Sequence, residues 1–185
     1  MAKIGRLITA MVTPFTAKGE VDYKQAQKLA KALIKSGSDG LVVTGTTGER
    51  PTVTDEEQLK LFAVVREAIG DKGTIIAGTG GNCTRESIAI TREAERLGVD
   101  AALLVVPYYN KPTQEGMYQH FKAIAASTKL PVIMYNIPSR VVINMEPETI
   151  GRLSKFPNII GVKEAKGDME HVAKTLNATH DRKDF

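Results

Sequence analysis

Short apolar runs rich in β-branched residues alternate along the whole chain with longer stretches whose apolar positions recur every three or four residues. A strand covered on both faces reads as a continuous apolar run, whereas a helix packed on one side reads as a stripe of period 3.6. The runs predict strands over residues 7–12, 40–44, 74–77, 101–106, 132–135 and 159–163. Between them, four sets of apolar residues mark helical stripes: Leu29 with Leu33, Phe62 with Val65 and Ile69, Met117 with Phe121, Ile124 and Ala125, and Met169 with Val172, Ala173 and Leu176. The punctuation agrees with the periods. Thr54-Asp55-Glu56-Glu57 reads as a capping box, Asp168 and Thr84 as N-caps, and Gly37, Gly70 and Gly98 as left-handed helix ends.

Repeated strand-helix units of this kind wind around a parallel sheet, so the fold class is α/β. No shift in composition and no Pro/Gly/Ser-rich linker divides the chain, which predicts one domain over residues 1–185. Periodicity does not choose between an open doubly wound sheet and a (β/α)8 TIM barrel. The strand ends do. Each is followed by polar or conformationally special residues: Thr13-Pro14, Gly45-Thr46-Thr47-Gly48-Glu49, Gly78-Thr79-Gly80, Pro107-Tyr108-Tyr109-Asn110, Tyr135-Asn136 and Lys163-Glu164. A barrel gathers such ends at one site, whereas an open sheet spreads them along an edge, which favours the barrel.

Composition narrows the class of function. With 185 residues, 42% hydrophobic and 25% charged, the chain buries a real core and is neither a stapled mini-protein nor a disordered tail. The formal +4 charge and pI of 9.1 come from signs interleaved along the helices, which favours solubility and not nucleic-acid binding. Cys83 is the single cysteine and residues 1–6 have no apolar leader pattern, so a reducing, cytoplasmic setting is expected. No apolar run approaches the roughly 18 residues of a membrane span, and no membrane partner is expected.

Lys163 is the most informative residue, because it sits in Ile-Ile-Gly-Val-Lys, a run suited to a buried strand. Two readings are open there: a desolvated amine able to attack a carbonyl and form a Schiff base, or a strand-end lysine paired with Glu164 or another carboxylate. Tyr108, Tyr109 and Tyr135 fall at strand ends, where phenols can relay protons or simply fill a rim. Gly45 to Glu49 offers backbone N–H groups and two hydroxyls for a small carboxylate, or a packing turn. Gly78-Thr79-Gly80-Gly81-Asn82-Cys83 has cysteine where a dinucleotide fingerprint has its third glycine, and there is no P-loop, so no nucleotide cofactor is expected. Arg140 is a candidate carboxylate clamp or a solvated loop residue. His120, His171 and His180 lack metal-ligand spacing and are expected to face solvent.

Together, Gly45-Thr46-Thr47-Gly48-Glu49, Pro107-Tyr108-Tyr109-Asn110-Lys111-Pro112, Tyr135-Asn136-Ile137-Pro138-Ser139-Arg140 and Gly161-Val162-Lys163-Glu164-Ala165 resemble the dihydrodipicolinate synthase family. That family lies within the pyruvate-dependent class I aldolases and lyases. The resemblance runs through essentially the whole chain in order and spacing, and the threonine pair with Tyr-Asn-Ile-Pro-Ser-Arg separates it from the sialic acid lyases. It implies a TIM barrel that condenses pyruvate with aspartate semialdehyde in lysine biosynthesis, with no metal or organic cofactor. It further implies that Lys163 forms the Schiff base and that Tyr135 shuttles protons. Thr46 would link Tyr135 to Tyr109, the latter reaching in from a neighbouring subunit of a homo-oligomer. Thr46 and Thr47 would hold the pyruvate carboxylate, and Arg140 that of the semialdehyde.

Three features depart from the family pattern. Val141 stands where Thr or Ser usually follows the arginine. Asn82, Glu86 and Tyr108 match positions that bind feedback lysine in some members, but Arg50, Pro51, Asp55 and Gln58 replace others, so strong lysine inhibition is not expected. Six strand-helix units are present where the barrel has eight, and the polar stretch 180–185 reads as an ending before a seventh strand. The alternatives are a related aldolase acting on a sugar acid, a non-catalytic fragment, and an unrelated open-sheet binding protein.

Overall fold

The computed structural model describes residues 4–185; the first half of the amino-terminal segment read above, residues 1–3, lies outside them. Six parallel-type strands follow in chain order, β1 (Ile8–Ala10), β2 (Gly40–Val43), β3 (Thr74–Gly78), β4 (Ala101–Val105), β5 (Val132–Asn136) and β6 (Ile159–Glu164). They form a sheet whose neighbours are also in sequence order, β1-β2-β3-β4-β5-β6, the α/β arrangement of the barrel class. Six predicted strands thus correspond to six observed ones. The helices are α1 (Tyr23–Lys35), α2 (Asp55–Ile69), α3 (Thr84–Arg96), α4 (Gln114–Ala125), α5 (Pro138–Val141), α6 (Pro147–Leu153) and α7 (Met169–Ala178). Among the described residues no helix is long and apolar enough to cross a membrane.

Backbone contacts divide the chain into two compact units. The first runs to Thr79 and includes Arg92–Ala102. Its strands pair in parallel, with Leu41 opposite Thr9 and Ile75, and Val42 opposite Ala10 and Ile76. Leu41, Ile75, Leu61, Phe62 and Val65 are fully buried. The capping box forms as read: the Thr54 hydroxyl accepts from the Glu57 N–H, and the Glu57 carboxylate accepts from the Thr54 N–H. In α1 the fully buried residues are Ala26 and Ala30, while Leu29 and Leu33 are half-buried beside them, because small side chains take the closest approach. At the lower ends of the strands the Asp100 carboxylate joins the Arg66 guanidinium and accepts from the Ile75 N–H.

The second unit comprises Gly80–Thr91 and Leu103–Phe185. Phe121, Met117, Ile124, Met134, Met145, Ile150 and Leu153 are fully buried in it, in agreement with the α4 stripe. Two readings are corrected here. Thr84 does not cap α3: it is the first helical residue, and its hydroxyl pairs with His120 Nδ1 at 2.8 Å. The α7 stripe is inverted, with Met169 and Leu176 77% and 66% exposed while His171, Thr175 and Thr179 are buried. The helix begins at the Asp168 cap as read, and that carboxylate accepts from the Glu170 and His171 N–H groups.

Candidate active site

In the first unit, β2 is followed at once by Thr44, a buried residue in left-handed backbone with φ 53°. Only a well-supported loop keeps a β-branched residue there, and the support is visible. Gln58, fully buried on α2, donates from Nε2 to the Thr44 hydroxyl at 2.8 Å and to the Gly78 carbonyl at 2.7 Å. A side chain at Gly78 would meet the Thr44 carbonyl at 2.4 Å, so glycine is required for the two strand ends to approach. The Thr13 hydroxyl donates to the Gly48 carbonyl at 2.6 Å and holds the far side of the turn. Thr46 and Thr47 are exposed at the crest of this braced turn. The sequence marks Gln58 only as a departure from the lysine-binding pattern, and nothing in it says what Gln58 binds.

In the second unit, Tyr135 and Lys163 are direct partners in the parallel β5–β6 register. Tyr135 is buried, and the Lys163 Nζ stands 4.2 Å from its ring centroid. A cation in this position is attracted by the face of the ring. Lys163 itself is exposed, which corrects the expectation of a lysine inside a covered strand. β6 is the last strand of the sheet and only Ile159 in it is buried. The simple strand-end pairing with Glu164 is not found either, because successive strand residues point to opposite faces. Glu164 instead accepts from Asn136 Nδ2 at 3.1 and 2.9 Å and from the Lys166 N–H at 2.8 Å.

Asn136 is fully buried and uses every polar atom of its amide. Nδ2 also donates to Asn144 Oδ1 at 2.8 Å, and Oδ1 accepts from the Met145 N–H at 3.0 Å. These bonds close the segment that carries α5, where Arg140 is exposed and Val141 is buried. A valine therefore suits the position after the arginine. Val142, next along, has φ 73° and is 68% exposed. From α4, Gln114 braces the same segment, donating to the Asn144 carbonyl at 2.7 Å and accepting from Thr149 Oγ1 at 2.7 Å.

Neither His120 nor His171 faces solvent, contrary to expectation. Each occupies a core-facing position on its helix, 6% and 3% exposed respectively. Burial pushes the His120 ring down to about 4. His171 Nε2 lies 3.2 Å from Glu164 Oε2, off the line of a hydrogen bond. The Asp168 carboxyl that starts this helix is held below the usual carboxylate range, chiefly by Lys166 at 2.9 Å. Tyr109 is 89% exposed with φ 67°, in a turn where the Asn110 N–H donates to the Tyr108 carbonyl at 2.7 Å and Asn110 Nδ2 to the Asn82 carbonyl at 2.8 Å. Among the described residues no group of three or more His, Cys, Asp or Glu is arranged to hold a metal ion.

The 4-hydroxy-tetrahydrodipicolinate synthase of Dehalococcoides mccartyi is 63% identical over 177 residues, covering 96% of this chain and 60% of its own length. The chain thus spans about three-fifths of the curated relatives it matches. The crystal structure of a Bacillus anthracis dihydrodipicolinate synthase superposes with a TM-score of 0.96 at 47% identity, covering 100% of this chain and 63% of that one. A chloride-inhibited dihydrodipicolinate synthase from Acinetobacter baumannii, solved in complex with pyruvate, gives a TM-score of 0.93 at 45% identity, covering 96% and 61%. The model of the dihydrodipicolinate synthetase family matches residues 3–184, and the chain belongs to that family.

Proposed function

We propose that this chain carries the imine-forming machinery of a 4-hydroxy-tetrahydrodipicolinate synthase acting on pyruvate and aspartate semialdehyde. The observation that carries the reading is the Lys163 amine held 4.2 Å from the ring centroid of its strand partner Tyr135. Lys163 Nζ, once neutral, adds to the keto carbon of pyruvate, and loss of water from the carbinolamine leaves the imine. Removal of a methyl proton gives the enamine, whose carbon attacks the aldehyde of the second substrate. The amine of that substrate then closes the ring on the imine carbon and releases Lys163. Tyr135 moves protons at the carbinolamine and enamine steps, in relay with Thr46 and Tyr109. Thr46 and Thr47 receive the pyruvate carboxylate, and Arg140 the carboxylate of the semialdehyde. No metal or organic cofactor takes part. The six strand-helix units belong to one barrel domain of a cytoplasmic homo-oligomer, Tyr109 serving the site of a neighbouring subunit.

Trapping tests the reading. Incubation with pyruvate and borohydride should leave a carboxyethyl group on Lys163, located by peptide mass spectrometry and absent from Lys163→Ala. Folded protein that carries no adduct at Lys163 overturns it. Product formation from aspartate semialdehyde, compared with cleavage of sialic acid or a keto-deoxy sugar acid, then assigns the second substrate.

A further inference from the structure

Asn136 and Glu164 stand one residue beyond the proposed reactive pair on each strand, and therefore on the opposite face of the sheet. Their side chains join β5 to β6 at the rung next to Tyr135 and Lys163. The bond is charge-assisted and largely shielded, with the Asn136 side chain buried and the Glu164 side chain 12% exposed, a setting in which such bonds hold geometry well. The same Nδ2 and the Oδ1 of Asn136 also bind the far end of the segment that carries Arg140, through Asn144 Oδ1 and the Met145 N–H. One amide thus ties the strand of the proposed nucleophile to the loop of the proposed carboxylate clamp.

We infer that Asn136 and Glu164 form a positioning clasp, touching no substrate, that fixes Lys163 against Tyr135 and sets Arg140 relative to both. The inference rests on the pyruvate reading for its catalytic consequence and on the hydrogen bonds alone for its structural one. Loosening the clasp leaves the carboxylate-binding threonines intact and changes the angle at which Nζ meets the keto carbon. The maximal rate of imine formation therefore falls while the pyruvate concentration for half-saturation stays nearly constant.

The experiment is borohydride trapping at graded pyruvate concentrations, with amide hydrogen exchange on the same proteins. Glu164→Ala and Asn136→Asp should each lower the maximal trapping rate about tenfold or more, with half-saturation within about twofold of the parent. Asn136→Asp retains the acceptor for the Met145 N–H but sets two carboxylates against each other. Adding Glu164→Gln reverses donor and acceptor across the strands, so the double variant should recover to within about threefold of the parent rate. Exchange at the Lys166 N–H should quicken in Glu164→Ala, and at the Met145 N–H in Asn136→Ala but not in Asn136→Asp. Single variants that trap at the parent rate, or a double variant no better than Asn136→Asp, overturn the clasp. A parent chain that forms no Lys163 adduct overturns the pyruvate reading instead. The clasp is then judged by exchange alone, and unchanged Met145 protection in Asn136→Ala refutes it.

Discussion

His120 shows what a single buried ring does to the stability of this protein. Its Nδ1 pairs with the Thr84 hydroxyl, while its Nε2 is buried with no partner. Protonation would place a second N–H and a charge in the same dry space, which is why its folded-state pKa falls from 6.5 to about 4. Between those values the unfolded chain binds a proton that the folded chain does not. The contribution of His120 is therefore complete above pH 6.5 and is lost progressively as pH falls toward 4, in total on the order of 3 kcal/mol. Urea unfolding at pH 7.5, 6 and 5 should show this slope, and His120→Asn, which can still meet Thr84, should flatten it. An unchanged slope in that variant would assign the pH dependence elsewhere. Sequence spacing placed His120 on a helix, but not on its inner face, because histidine suits both surfaces and only neighbouring elements choose.

At the scale of the element, α7 makes the same point with greater force. Its period and its cap were legible, yet the apolar residues Met169 and Leu176 are exposed and a line of His171, Thr175 and Thr179 is buried. A groove of about 250 Å³ between this helix and β6 is lined by Val162, Val172, Leu176 and Phe185. Which side of an amphipathic helix is turned inward depends on the partner it finds. Here the Asp168 cap holds the His171 backbone N–H, and the His171 ring lies against Glu164 of β6. Thr175 Oγ1 is buried without a partner, so Thr175→Val, which keeps the shape, should stabilise the fold by about 1 kcal/mol. Met169→Gln, at an exposed apolar position, should change stability by less than about 0.5 kcal/mol. Chemical denaturation of both variants measures this, and a large loss in Met169→Gln would show that the apolar stripe is the buried one. By contrast α2 and α4 face as read, because apolar residues dominate their buried faces and leave room for only one polar side chain each, Gln58 and His120.

For the whole molecule, charge and strand order matter most. A net charge of +4 with a pI of 9.1 predicts least repulsion between copies near pH 9, so light scattering should rise toward that pH and fall on either side. Scattering that peaks near neutrality would mean that patches, and not net charge, govern association. The chain by itself determined the α/β class, the six strands to within two residues or so at each end, the helix caps at Thr54 and Asp168, and the family. These are set by local periodicity and by residue types adjacent in sequence, which need no distant partner. Tertiary structure alone decided that Lys163 is exposed over the Tyr135 ring and that Glu164 turns away to Asn136. It also decided that Gln58 braces Thr44 and that two histidines are buried. Each of these depends on which strand lies opposite and which helix packs behind. They follow from β5–β6 register and from contacts between residues up to 36 positions apart in no single local pattern, as when His120 meets Thr84 and Gln58 reaches both Thr44 and Gly78.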